Sequence, residues 1–185
     1  MTVAGIALCE GELRQQRTIG DSSLTVEEYL DILRQKTGDL CAASSLLGAW
    51  SAGANNSWQG ALETYGQHLG IAFQIYDDWL DVWGTAALGK PLGNDVANRK
   101  PTLPTLRLLQ QTSTAQQSAM TAALDAGVWT AELRKTLDRS DAYSAALDMA
   151  RHFAESACCA LAPLPASPAK QALIGLAHQS VRRAR

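Results

Sequence analysis

Apolar residues recur along this chain at intervals of three and four, and no stretch alternates apolar with polar over the length of a strand. The pattern predicts helix almost throughout. A weak helical period runs from about Gly5 to Gln16 and stops in a polar run over residues 17–23. Thr25 followed by Glu28 is a capping box, and Tyr29, Leu30, Leu33, Leu40, Leu46 and Leu47 then predict one long helix from Val26 to about Ala52. Gly53-Ala54-Asn55-Asn56 is turn chemistry, and Ser57 is placed to cap a second long helix reaching about Trp83. Leu62, Tyr65, Leu69, Phe73, Tyr76 and Leu80 trace its expected buried stripe. Gly66 and Gly70 inside it cost roughly 1 kcal/mol each relative to alanine, which points to close helix packing or to room for a ligand. Gly84 ends this helix, and the connection over residues 85–104 is of a length more often functional than accidental. Shorter helices follow: Thr105 to Gln111, Ser113 to Ala126, Thr130 to about Arg139, and Asp141 to Leu161 with Tyr143, Leu147, Ala150, Phe153 and Ala157 on one face. A Pro163-Leu164-Pro165 break precedes Ser167-Pro168, a cap with proline in the first turn of a last helix to about Arg183. The expected fold is an all-α helical bundle forming one domain over residues 1–185.

The second long helix ends in Phe73-Gln74-Ile75-Tyr76-Asp77-Asp78-Trp79-Leu80-Asp81. In helical geometry Asp77 and Asp81 share a face one turn apart, and Asp78 lies about 100° round from Asp77. Such a cluster is either a solvated acidic face or a site neutralised by protons, cations or a divalent ion, and all-carboxylate ligation suits Mg2+ better than Zn2+. Lys36-Thr37 sits in a small-residue context, where a snorkelling surface lysine is the plain alternative to a functional one. His68 has no second His or Cys at ligand spacing and reads as a satisfied polar residue on the rim.

Composition narrows the classes. The chain has 185 residues, 46% of them hydrophobic, enough for a real core. A net charge of -2 argues against general nucleic-acid binding, and the basic end at Arg182, Arg183 and Arg185 reads as a solvated helix terminus. The four cysteines, Cys9, Cys41, Cys158 and Cys159, form no CxxC pair and are expected to be small core residues of a reduced, cytoplasmic protein. The first residues have no basic leader ahead of their apolar part, and no apolar span reaches membrane length, so neither secretion nor stable membrane insertion is expected.

Four elements stand in register: Lys36-Thr37; Gly70 to Asp81; Gly89-Lys90-Pro91-Leu92-Gly93-Asn94-Asp95; and Lys100-Pro101-Thr102-Leu103-Pro104. Together they resemble the second half of the trans-isoprenyl diphosphate synthases, the polyprenyl synthetase family. The family pattern GxxFQIxDDxLD is matched at every fixed position. Its GKPxGxDLxxGKxTLP is matched except for Val96 in place of Leu and Arg99 in place of Gly. Gly11-Glu12-Leu13 and Val26-Glu27-Glu28-Tyr29-Leu30 also look like its lead-in to the KT pair.

The resemblance implies a bundle of the isoprenoid synthase type and a prenyl-elongating chemistry. An allylic prenyl diphosphate ionises, isopentenyl diphosphate attacks the carbocation, and a proton is lost. The departing diphosphate gathers negative charge, which preorganised cations and Mg2+ stabilise. By position, Asp77, Asp78 and Asp81 would ligate one Mg2+, with Asp77 and Asp81 foremost. Lys36 and Lys90 would contact the allylic diphosphate, and Lys100 would help close the loop over it. Thr37 and Gln74 are expected near the reacting end, where their dipoles stabilise cationic character. A homodimer, or association with a chain carrying the N-terminal half, is implied as well.

One part of the pattern is missing. The family faces two aspartate-rich motifs across its site, the first well before the KT pair, and the 35 residues ahead of Lys36 contain no DDxxD. The family's arginine pair after that motif and its basic residues for isopentenyl diphosphate are absent too. Loss of one metal-binding wall costs several kcal/mol of charge stabilisation, or on the order of a thousandfold in rate. Two readings follow: a truncated or split synthase, weakly active or inactive alone, or a non-catalytic partner subunit of a complete synthase. A terpene-cyclase-like bundle is disfavoured by the lysine-bearing loop. The front helices make up half of the family's core, so exposed apolar faces are expected.

Overall fold

A computed structural model describes residues 2–85, 91–111 and 114–182, with side chains described outside 114–119. The described residues form helices α1 (Thr2–Arg17), α2 (Val26–Leu33), a π-helical turn (Arg34–Gly38), α3 (Asp39–Ser51), α4 (Asn56–Trp83), α5 (Asn94–Ala97), α6 (Leu103–Gln111), α7 (Thr114–Asp125), α8 (Ala131–Arg139), α9 (Ala142–Ala160) and α10 (Pro168–Ser180). No strand occurs among them, and the all-α bundle is as expected.

Helix α4 is the axis of the bundle. It packs along α3 on one side and α9 on the other, with α2, α6 and α10 completing its surround. Ile71, Ala72, Ile75 and Trp79 of α4 meet Tyr29, Ile32 and Leu33 of α2, Leu103 and Leu106 of α6, and Ala146, Ala150 and Ala154 of α9. Alanines at four-residue intervals on α9 let it approach α4 closely, so its many small side chains are packing surface. A second cluster joins Val82 at the end of α4 to Val96, Leu108, Leu133 and Leu137. At that same end the Arg134 guanidinium donates to the Val82 carbonyl, and the Trp83 indole donates to Asp138. Helix α8 thereby satisfies one of the C-terminal carbonyls of the helix bearing the aspartates.

The glycines of α4 answer the alternative that the sequence leaves open. A Cβ on Gly66 would lie 2.4 Å from the Cys41 carbonyl oxygen, and one on Gly70 would lie 3.0 Å from Gly38 Cα. They are seats for the backbones of α3 and the π-turn rather than ligand space.

Several expectations are corrected. The run from Val26 to about Ala52 is helical but not one α-helix: a π-turn, closed by the Asp39 N–H donating to the Arg34 carbonyl, divides it. That turn inserts one residue and rotates the buried stripe: Gly38, Ala42 and Ala49 are buried while Leu47 is exposed. Asn55, not Ser57, caps α4, its side chain accepting the Trp58 N–H. Phe73 is 38% exposed and off the buried stripe. No cysteine is a fully buried core residue: Cys9 and Cys159 are exposed, Cys41 and Cys158 half-buried, all four free. His68 packs edge-on against Phe153, and its buried Nδ1 has no hydrogen-bond partner. Arg183, Arg185 and Lys90 lie outside the described residues.

Candidate functional site

The capping box at Thr25 is formed as the sequence predicts, with Glu28 N–H to the Thr25 hydroxyl and Thr25 N–H to the Glu28 carboxylate. It starts α2 in a register that sends the Tyr29 side chain into the core, where its hydroxyl donates to Asp78 Oδ2 at 2.8 Å. Asp78 is 1% exposed. Its other oxygen accepts Lys100 Nζ at 2.8 Å, and the Gln74 amide stands 3.5 Å from that same oxygen. Lys100 also bridges to Asp95 at 3.2 Å. The middle carboxylate of the DDxxD is therefore turned inward and neutralised by a buried cation.

Its neighbours differ. Asp81 accepts the backbone N–H groups of Asn94 and Asp95, the first donors of α5, and its main-chain carbonyl accepts the Gly93 N–H. Gly93 reaches this position at φ 75°, and a Cβ there would meet the Trp129 ring. Burial raises the Asp81 carboxyl above its ordinary range, partly offset by those two N–H donors. Asp77 is half-buried, and its carboxylate makes no hydrogen bond or ion pair to another described residue. Burial, then the charge of Asp78, pushes Asp95 up to about 7 against the counter-effect of Lys100. Burial lowers Lys100, but the two carboxylates outweigh it, so its ammonium stays charged. Tyr29 is raised well above its ordinary value by burial first and by Asp78 second.

The π-turn carries Thr37 to this group and Lys36 to α1. Thr37 Oγ1 lies 3.4 Å from Gln74 Oε1, which links the turn through Gln74 to Asp78, Lys100 and Asp95 in one polar strip. Lys36 Nζ donates to Gln15 Oε1 at 2.6 Å and pairs with Glu12 Oε2 at 2.9 Å. Gly11 allows this, because a Cβ there would stand 2.6 Å from the Lys36 backbone nitrogen. The hydrogen bond from Lys36 is the largest cause of the lowered Glu12 carboxyl, and the Lys100 charge acts on it too.

Thr37, Gln74, Asp78 and Lys100 are thus assembled in one strip, with Asp81 anchoring the loop at its edge, while the Lys36 ammonium is held by α1. Sequence reasoning missed Tyr29, Asp95, Glu12 and Gln15. The last two lie in and just after the Gly11-Glu12-Leu13 signature, and Asp95 lies inside the GKPLGND run, but nothing in the spacing says which residues they touch. Among the described residues no three His, Cys, Asp or Glu side chains converge as a ligand set for one metal ion. Asp77 and Asp81 still present two carboxylates on one helical face, and Mg2+ is held by one or two carboxylates with water and substrate phosphates, so this donor pair fits it.

The profile of the Polyprenyl synthetase family matches residues 1–137. The chain belongs to that family. An octaprenyl diphosphate synthase of Haemophilus influenzae is 34% identical over 187 residues, covering 99% of this chain and 57% of that protein. The Escherichia coli octaprenyl diphosphate synthase is 34% identical over 190 residues, covering 100% of this chain and 58% of that one. Among solved structures, a polyprenyl synthase from Caulobacter crescentus, complexed with calcium and isoprenyl diphosphate, superposes with a TM-score of 0.91 at 36% identity, over 98% of this chain and 57% of that chain. The decaprenyl diphosphate synthase of Rhodobacter capsulatus gives 0.90 at 32% identity, again over 98% and 57%. The chain thus has the isoprenoid synthase helical fold and spans a little over half the length of these relatives. No helix among the described residues is long and apolar enough to cross a membrane.

Proposed function

We propose that these residues form one wall of a prenyltransferase site that condenses isopentenyl diphosphate with an allylic prenyl diphosphate. Asp77 and Asp81 hold a Mg2+ ion, Asp78 fixes the helix end between them, and Lys36, Lys90 and Lys100 face or order the diphosphate region. Mg2+ would supply neutralising charge to the departing diphosphate. The protein's own contribution is orientation: Asp81 pins the α5 turn by two backbone donors, and Thr37 and Gln74 keep uncharged dipoles beside it. The observation that carries the reading is the contrast within the DDxxD. Asp78 is buried and paired, whereas the half-buried Asp77, one turn from Asp81, has no side-chain partner among the described residues.

Because these 185 residues contain a single DDxxD, they are expected to bind Mg2+-pyrophosphate but to elongate prenyl diphosphates poorly or not at all by themselves. Calorimetric titration of the purified chain with Mg2+ and pyrophosphate tests the site. Asp77→Ala combined with Asp81→Ala should abolish the Mg2+-dependent part, and unchanged binding would show the assignment to be wrong. Elongation at ordinary rates by the purified chain would refute the one-wall reading.

A second reading, a non-catalytic subunit that lends this wall to a complete synthase, is favoured by the exposed apolar side chains of α1 and α3. Val3 is 80% exposed, Leu13 57% and Trp50 66%. Light scattering on the chain alone, and with a chain carrying a DDxxD-bearing front half, separates self-association from complementation.

A further inference from the structure

The contacts of Lys36 differ in kind, and the difference suggests how the cation is stored and released. Gln15 is buried at 7% exposure, and its Oε1 accepts Lys36 Nζ at 2.6 Å. It is neutral and fixed on a helix that Gly11 seats directly against the π-turn backbone. The Glu12 side chain is 43% exposed, also accepts from Gln16, and pairs with Lys36 at 2.9 Å. Glu12 is therefore a charged, solvent-facing partner that an arriving polyanion can replace, whereas the buried amide cannot be displaced without opening α1 from the turn.

We infer that Glu12 is an internal counter-ion that competes with diphosphate for Lys36, and that Gln15 is the pivot on which the ammonium turns from one to the other. This rests on the proposed diphosphate site. The two residues lie one turn apart on the same helix, yet their removal acts in opposite directions. Glu12→Gln frees Lys36 and tightens Mg2+-pyrophosphate binding by about two- to fivefold, the range for a partly exposed ion pair. Gln15→Leu leaves the ammonium without its fixed acceptor and weakens binding.

The experiment is calorimetric titration of the full chain, Glu12→Gln, Gln15→Leu and Asp77→Ala/Asp81→Ala with Mg2+ and pyrophosphate. Each variant is accompanied by a thermal melt and by mass-spectrometric rates of Lys36 acylation with acetic anhydride. Tighter binding and faster Lys36 acylation in Glu12→Gln, with weaker binding in Gln15→Leu at an unchanged melt, are expected. Weaker or unchanged binding in Glu12→Gln, or losses in both variants that track a lowered melt, would overturn the inference. If the aspartate variants bind as well as the parent, the diphosphate-site reading fails instead. The acylation rates then decide alone whether Glu12 screens Lys36: faster in Glu12→Gln supports it, unchanged rejects it.

Discussion

Replacing Lys100 by methionine removes one cation and strands two carboxylates. Asp78 is 1% exposed, and the Lys100 and Asp95 side chains are each 17% exposed, with Nζ 2.8 Å from one carboxylate and 3.2 Å from the other. Breaking a buried pair by deleting one partner costs about 3–5 kcal/mol, and here the Tyr29 hydroxyl is the main compensation left to Asp78. For a chain of this size that is a fall in Tm of roughly 10 °C. The sign of the pH dependence follows from Asp95, whose folded value of about 7 lies above its unfolded one of 3.8. Between those limits the folded state holds more protons than the unfolded state, so its contribution is complete near pH 4 and is lost as pH rises through 7. Without Lys100, Asp95 takes up its proton still more readily, and the deficit of Lys100→Met should be larger at about pH 8 than at about pH 5. Urea unfolding followed by circular dichroism at both pH values measures it. A loss under about 1 kcal/mol at the higher pH, or equal losses at the two, would refute the idea that Lys100 neutralises a buried pair.

Gly66→Ala places a Cβ 2.4 Å from the Cys41 carbonyl and should part α3 from α4 at a cost of about 2–3 kcal/mol, despite alanine's better helix propensity. A stabilised variant in urea titration would contradict the packing role. Arg99 stands at φ 55°, where the family pattern has glycine, so relief of left-handed strain should make Arg99→Gly about 0.5–1 kcal/mol more stable. A lower urea midpoint for this variant would mean that the Arg99 side chain, lying against Gly20 and Gly127, contributes more than the strain costs.

The sequence exposes whatever has a local period or cap. The Thr25 capping box, the Ser167-Pro168 start of α10 and the stop at Gly84 are local chemistry, and each is found where the residues put it. The π-turn is not local in that sense. Arg34-Gln35-Lys36-Thr37-Gly38 is unremarkable as helix, and its extra residue per turn is supported by contacts distant in sequence, such as Gly11 on Lys36 and Gly38 on Gly70. A single phase over Val26 to Ala52 therefore places Leu47 in a stripe from which the turn removes it. The site divides in the same way. Helical spacing joins Asp77 to Asp81, but that Asp78 alone points into the core depends on Tyr29 and Lys100, 49 and 22 residues away. Phe73 keeps the period of the expected stripe yet is 38% exposed between the fully buried Ala72 and Ile75.

Asp78 spends its two oxygens on different parts of the molecule, Oδ2 on the Tyr29 hydroxyl of α2 and Oδ1 on the Lys100 ammonium of the segment entering α6. Both donors draw on the charge of a single carboxylate. In a buried setting each of these bonds is stronger than it would be in water, so the two segments are held together through one group. The inward aspartate thus joins α2, the end of α4 and the segment entering α6 at a single buried carboxylate, so loss of either donor leaves that whole charge to the other.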